Sequence, residues 1–141
     1  MSTEENQAIL RQCYDELFNK GNLAIADKLY APGYVLNHTD PVNLPHGPEG
    51  VRQYVSATRS AFPDIRVTVD DVVAEGDKTV ARFTMQGTQT GQFYSAPPSG
   101  KRAVWSGIIL SRYGGGKILE ETLNVDSLGL LMQLGVIPSP A

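Results

Sequence analysis

Gly116-Lys117-Ile118-Leu119-Glu120-Glu121-Thr122-Leu123-Asn124-Val125-Asp126-Ser127-Leu128-Gly129-Leu130-Leu131-Met132-Gln133-Leu134-Gly135 reads as a turn, a short strand and an apolar helix. A strand points successive side chains to opposite faces, so Asp126, Asn124, Thr122 and Glu120 share one side. Val125, Leu123 and Leu119 share the other. Ser127 is suited to cap the helix, whose Leu128, Leu131, Met132 and Leu134 form an apolar surface. Asp126 thus falls where a polar sheet face meets an apolar lid. A carboxylate so placed is either a general acid/base in a pocket or a structural cap.

Upstream of this stretch the hydrophobic period is two. Ile65, Val67 and Val69 alternate with Arg66, Thr68 and Asp70, and Gly76-Asp77 reads as a hairpin turn. Thr79 to Thr88 places Ala81, Phe83 and Met85 on one face and Val80, Arg82, Thr84 and Gln86 on the other. Ser95 to Lys101 is a loop, Val104 to Tyr113 a third long strand, and Gly114-Gly115-Gly116 a turn. Gly87, Gly91 and Gly107 are expected at bends or bulges.

The first half of the chain has helical spacing instead. Ser2 and Glu5 form a capping-box pattern ahead of Ile9, Leu10, Cys13, Tyr14, Leu17 and Phe18, and Gly21 is a natural stop. Leu23 to Leu29 is a second helix, ended by Pro32-Gly33, and Tyr34 to His38 is a short strand. Thr39 to Gly47, with Asp40, Pro41 and Pro45, reads as a loop. A third helix starts at Pro48 and carries Val51, Tyr54, Val55, Thr58 and Phe62. Helices first and hairpins last make an α+β pattern in one domain, residues 1–141, with helices gathered on one side of a curved antiparallel sheet. Such a cone has a natural small-molecule pocket at its mouth.

Composition narrows the partners. The 141 residues carry a net charge of −3 with scattered basic residues, which gives no reason to expect nucleic acid or an anionic membrane surface. No apolar run approaches a membrane span, and the polar start MSTEENQ is unlike a secretory signal. The single cysteine, Cys13, excludes an internal disulfide, fits a reducing compartment with the cytoplasm as default, and reads as a core residue.

Several short tags occur together. Gly47-Pro48-Glu49-Gly50, Phe62-Pro63-Asp64, Glu75-Gly76-Asp77, Gly87-Thr88-Gln89-Thr90-Gly91, Pro97-Pro98-Ser99-Gly100 and Gly116-Lys117-Ile118 resemble, in order and spacing, the SnoaL-like polyketide cyclase family, as does the closing Asp126 to Gly135. The resemblance implies the cone-shaped α+β barrel of the nuclear transport factor 2-like (cystatin-like) superfamily, a homodimer, and a pocket inside the cone. It implies an intramolecular aldol closure run by a carboxylate on the last strand, without cofactor or metal. That residue falls on Asp126, and the family's pocket histidine falls on His38. Thr122 stands where many relatives carry tryptophan, and Gln89 where many carry histidine. The superfamily also contains isomerases of the ketosteroid type, epoxide hydrolases and non-catalytic binding domains, so fold alone does not set function.

The site expected from these readings takes a small, apolar, carbonyl-containing ligand. Asp126 moves the proton, since desolvation raises a carboxylate's pKa and each unit is about 1.4 kcal/mol. His38, in Asn37-His38-Thr39-Asp40, polarises the carbonyl or is a hydrogen-bonded structural residue. Arg82 requires a carboxylate partner, Asp126 or Glu120. Trp105 lines the pocket or serves the core or a dimer interface, and Tyr14, Tyr34 and Tyr54 are candidate wall donors among which the sequence does not choose. Gly114 to Lys117 lacks the phosphate-loop pattern, and the spacing of His38, Asp40 and His46 matches no standard metal site.

Overall fold

The computed structural model describes residues 2–38, 40, 42–138 and 140; Thr39 and Pro41 of the expected loop lie outside the described residues. Ser2 Oγ accepts the Glu5 N–H at 3.1 Å while Glu5 Oε1 accepts the Ser2 N–H at 3.2 Å, the reciprocal cap that starts α1 (Thr3–Gln12). The helix continues through Cys13–Asn19 with the wider π-helical turn. It stops at Gly21, whose φ of 71° suits glycine and whose N–H reaches the Leu17 carbonyl. Leu10, Cys13, Tyr14, Leu17 and Phe18 form its buried stripe. A 3₁₀ turn (Leu23–Ile25) leads into the short α2 (Ala26–Leu29), and α3 (Pro48–Ala61) follows with Pro48 in its first turn.

Five strands form one sheet in the order β1-β5-β4-β3-β2. They are β1 (Tyr30–His38), β2 (Arg66–Glu75), β3 (Lys78–Thr88), β4 (Arg102–Gly114) and β5 (Lys117–Val125). The hairpins are antiparallel as expected, but β1 pairs parallel with β5, so the sheet is mixed. It stays open, with β1 and β2 as edges, so the α+β cone is not a closed barrel. β1 also starts earlier than the sequence indicates: Pro32-Gly33 does not end a helix but sits at an irregularity between Tyr30 and Val35. Proline is tolerated there because β1 is an edge strand.

Gly91 lies at a bend, as expected, but Gly87 and Gly107 mark no bulge. Register breaks at Asp70 in β2 and at Leu119 in β5, while pairing runs unbroken through Gly87 and Gly107. Gly107 serves close approach instead: a Cβ there would lie 2.5 Å from Cζ of Phe83. The inner sheet face carries Val67, Ala81, Phe83, Met85, Trp105, Ile109, Tyr113, Ile118 and Leu123, all buried under the helices. After β5 the chain turns into α4 (Ser127–Gln133), which takes over as neighbour of β4. Gln133 Oε1 accepts the Val104 N–H and its Nε2 donates to the Val104 carbonyl, both at 2.8 Å. No helix among the described residues is long and apolar enough to cross a membrane.

Candidate active site

The bulge at Leu119 decides what faces the interior. Arg112 pairs with Glu120 and Tyr113 with Ile118, so Leu119 is the extra residue. Beyond it, Glu121 and Leu123 point inward and Thr122 and Asn124 outward. Glu121 is only 4 % exposed. Its Oε1 accepts from the Tyr34 hydroxyl at 2.7 Å and its Oε2 from the Ser111 hydroxyl at 2.5 Å. Among the described residues no arginine or lysine forms an ion pair with it. Burial therefore pushes the carboxyl above its usual range, against the pull of the Ser111 and Tyr34 donors.

The surroundings sharpen this effect. Glu121 lines a cavity of about 40 Å³ with Tyr14, Tyr30, Tyr34, Phe83 and Met85 among its walls, room for about two water molecules. Burial raises the Tyr14 and Tyr34 phenols, and the Glu121 charge adds to it. They stay neutral donors. Behind Ser111, the Tyr113 and Thr79 hydroxyls bond each other at 2.7 Å, so buried hydroxyls extend from the acid along β3 and β4.

At the end of β1, His38 Nδ1 accepts the Asp40 N–H at 2.9 Å, so the neutral ring carries its proton on Nε2. Nε2 lies 3.2 Å from the Tyr54 hydroxyl and donates to it, leaving that O–H free to donate elsewhere. Burial lowers the His38 pKa, with the Asp40 charge opposing, and the ring is neutral at pH 7. Ser127 Oγ donates to Asp40 Oδ2 at 2.5 Å, tying α4 to the segment after β1.

The expected residues separate into two groups. Tyr14 and Tyr34 line the cavity, and His38 stands at its rim through Tyr54. Asp126 is exposed, and its Oδ1 accepts the Gly129 N–H at 3.0 Å: it is the N-cap of α4, the place expected for Ser127. Arg82 lies on the outer face of the sheet and pairs there with Asp70 at 3.1 Å, not with Asp126 or Glu120. Trp105 is buried 4.8 Å from the Phe62 ring, away from the cavity. Cys13 is a core residue whose thiol is pushed up by burial, and His46 is exposed. Glu121 and Ser111 are the residues that reading the sequence passed over. One signal was available: Glu121 is a lone acid on the parity that carries Leu119 and Leu123.

Residues 8–134 match the family model described as SnoaL-like polyketide cyclase. The chain belongs to that family. SnoaL-like folds of known structure agree. TsrD from Streptomyces laurentii is 31 % identical with a TM-score of 0.87, over 97 % of this chain and 99 % of its own. IdmH from Streptomyces antibioticus, a candidate polyketide cyclase, is 31 % identical with a TM-score of 0.78, over 92 % and 98 %. AclR from Streptomyces galilaeus, a candidate hydroxylase, is 26 % identical with a TM-score of 0.85, over 99 % and 87 %. No curated protein sequence matches. A SnoaL-like chain is thus a cyclase-type protein at the level of its family, while two different activities are attached to neighbours of similar likeness.

Proposed function

We propose that this chain is a cofactor-free acid/base enzyme that closes a ring in a small, apolar carbonyl compound, with Glu121 as the proton carrier. The observation that carries the reading is a buried carboxyl held by two hydroxyls in a small aromatic-walled cavity. A base raised by burial is closer in strength to a carbon acid beside a carbonyl than an exposed carboxylate is. In the forward step Glu121 takes that proton and the enolate carbon bonds to a second carbonyl of the same molecule. The resulting alkoxide takes the proton back. Tyr54, its O–H left free by the His38 donor, holds the carbonyl oxygen as charge develops. The sequence-level assignment to Asp126 gives way to Glu121, because Asp126 is exposed and engaged as a cap.

The test is Glu121→Gln, assayed on aromatic β-ketoacyl methyl esters by disappearance of the open-chain substrate and appearance of the ring, with the methyl ester retained. Turnover drops about 10²- to 10⁴-fold. Full activity in the variant sinks the reading, and binding without turnover in the wild type leaves a non-catalytic pocket.

The homodimer belongs to the same proposal. Val80, Val104, Ile108 and Leu110 are exposed on the outer sheet face, with Val80 directly opposite Leu110. An apolar patch in the middle of a sheet is suited to a second copy of itself. Ile108→Lys converts the dimer to monomer in sedimentation velocity, whereas a wild-type monomer overturns this part.

A further inference from the structure

The acid chamber is too small for any substrate. At about 40 Å³ it is far below the roughly 300–1,000 Å³ of small-molecule sites. A second hollow of about 330 Å³ opens beside it, between the segment before α3, the exposed side of α3 and the loop after β3. Leu44, Ala57, Phe93 and Tyr94 give it an apolar body, while Asn43 and Gln92 supply carboxamides. None of its lining residues is charged. Tyr54 alone among the described residues lines both spaces.

We propose that this groove is where an uncharged, ring-containing ligand is selected, and that the Tyr54 side chain is the partition that must swing aside for the ligand to reach Glu121. The specificity claim rests on the reading of Glu121 as proton carrier; the partition claim does not.

Three observations join here. Volume places the body of a ligand in the groove, and the shared wall leaves Tyr54 as the passage between the two spaces. The His38 Nε2–Tyr54 hydroxyl contact at 3.2 Å is a tether of moderate length, and the two rings are tilted with centroids 5.7 Å apart. The groove's far wall is strained: Tyr94 has φ of 51°, the one positive φ at a non-glycine residue among the described residues, and is 57 % exposed. Such a conformation persists when its surroundings hold it, and strain of this kind gathers at ligand clamps. The hold is visible. Phe93 and Ala96 exchange backbone bonds, and the buried Gln89 donates to the Ala96 and Pro97 carbonyls at 3.2 and 3.1 Å and accepts the Ser99 N–H at 3.2 Å. Gln89 therefore braces the wall that bears Tyr94.

Access to Glu121 can be read without turnover. A small neutral diazoamide esterifies protonated carboxyls: the acid proton moves to the diazo carbon, the carboxylate oxygen bonds to that carbon, and N₂ leaves. Mass spectrometry at mildly acidic pH follows the Glu121 ester, with exposed carboxylates as internal standards. Tyr54→Ala, with Tyr54→Leu as the second variant if the first fails to fold, labels Glu121 about tenfold faster than wild type because the open fraction rises. Equal rates in wild type and variant, zero included, overturn the partition. Ala57→Trp, which fills the groove, weakens binding of the neutral dye Nile red about tenfold. Unchanged dye affinity overturns the groove. Neither readout depends on Glu121→Gln turnover, so failure of this inference and failure of the catalytic reading are told apart.

Discussion

Two carboxylates five positions apart at the end of the chain have opposite fates. Glu121 lies inside the cone, held by Tyr34 and Ser111 hydroxyls, with its pKa raised by burial. Asp126 lies outside, accepting the Gly129 N–H at the start of α4. Nothing in their side-chain chemistry separates them; the backbone does. Regular alternation with Leu123 turns Glu121 inward, the bulge at Leu119 lets Ile118 face the same way, and the end of β5 at Val125 leaves Asp126 at a helix terminus, where unsatisfied N–H groups demand an acceptor. Position on the backbone, not residue type, divides a buried, hydroxyl-held acid from a helix cap here.

The largest expected effect tests that division directly. Glu121→Gln loses about 10²- to 10⁴-fold in turnover, whereas Asp126→Asn, which keeps a capping oxygen, stays within about twofold. Steady-state rates of the two variants on one substrate decide it, and the reverse order breaks the comparison.

Stability against pH gives a smaller, signed effect. Glu121 has a folded pKa above the ordinary 4.5, so the folded chain binds more protons than the unfolded one above that value. Its contribution is fully present below about pH 4.5 and is lost as pH rises through the folded pKa. Glutamine cannot ionise, so Glu121→Gln melts higher than wild type near pH 8, on the order of 3 °C, and the gap closes toward pH 4. Differential scanning calorimetry across that range checks it. A gap that widens on acidification means the carboxyl is held in its charged form instead.

Much of the fold was legible because its signals are local. The capping box at Ser2 and Glu5, the stop at Gly21, the turns at Gly76 and at Gly115-Gly116, and the period-two runs of β2 to β4 each depend on a few neighbouring residues. The parallel pairing of β1 with β5 was not, since it joins Asn37 to Thr122 across most of the chain. The acid was missed without any slip in register: alternation counted back from Asp126 already puts Glu121 on the face of Leu123 and Val125, and the bulge breaks that count only beyond Glu120, at Leu119. Periodicity gives the face; it does not say that an acid on that face stays buried on two hydroxyls. Bulges carry little sequence signature when no glycine marks them, as at Leu119 and Asp70. Arg82 went astray for a related reason: its partner Asp70 is itself a bulged residue on the adjacent strand. Tyr14 and Tyr34 stood in the sequence beside Tyr54 as wall donors among which no local signal chooses, and His38 was named from the family resemblance, not from periodicity.

The smallest effect isolates what Asp126 does. An N-cap oxygen satisfies a backbone N–H that α4 cannot satisfy itself, and losing it to alanine costs about 1 kcal/mol, roughly 3 °C in a domain of this size. Asp126→Ala should show that loss, Asp126→Gly a few tenths of it, and Asp126→Asn almost none, because asparagine still presents an oxygen to the Gly129 N–H. The same series carries a structural readout: amide exchange at Gly129 quickens with alanine and not with asparagine. A melting loss in Asp126→Asn as large as in Asp126→Ala would mean that the charge, not the cap geometry, matters. The outer carboxylate would then have an electrostatic role at the rim near Asp40 and Ser127, and its separation from the inner acid would be less complete than their burial suggests.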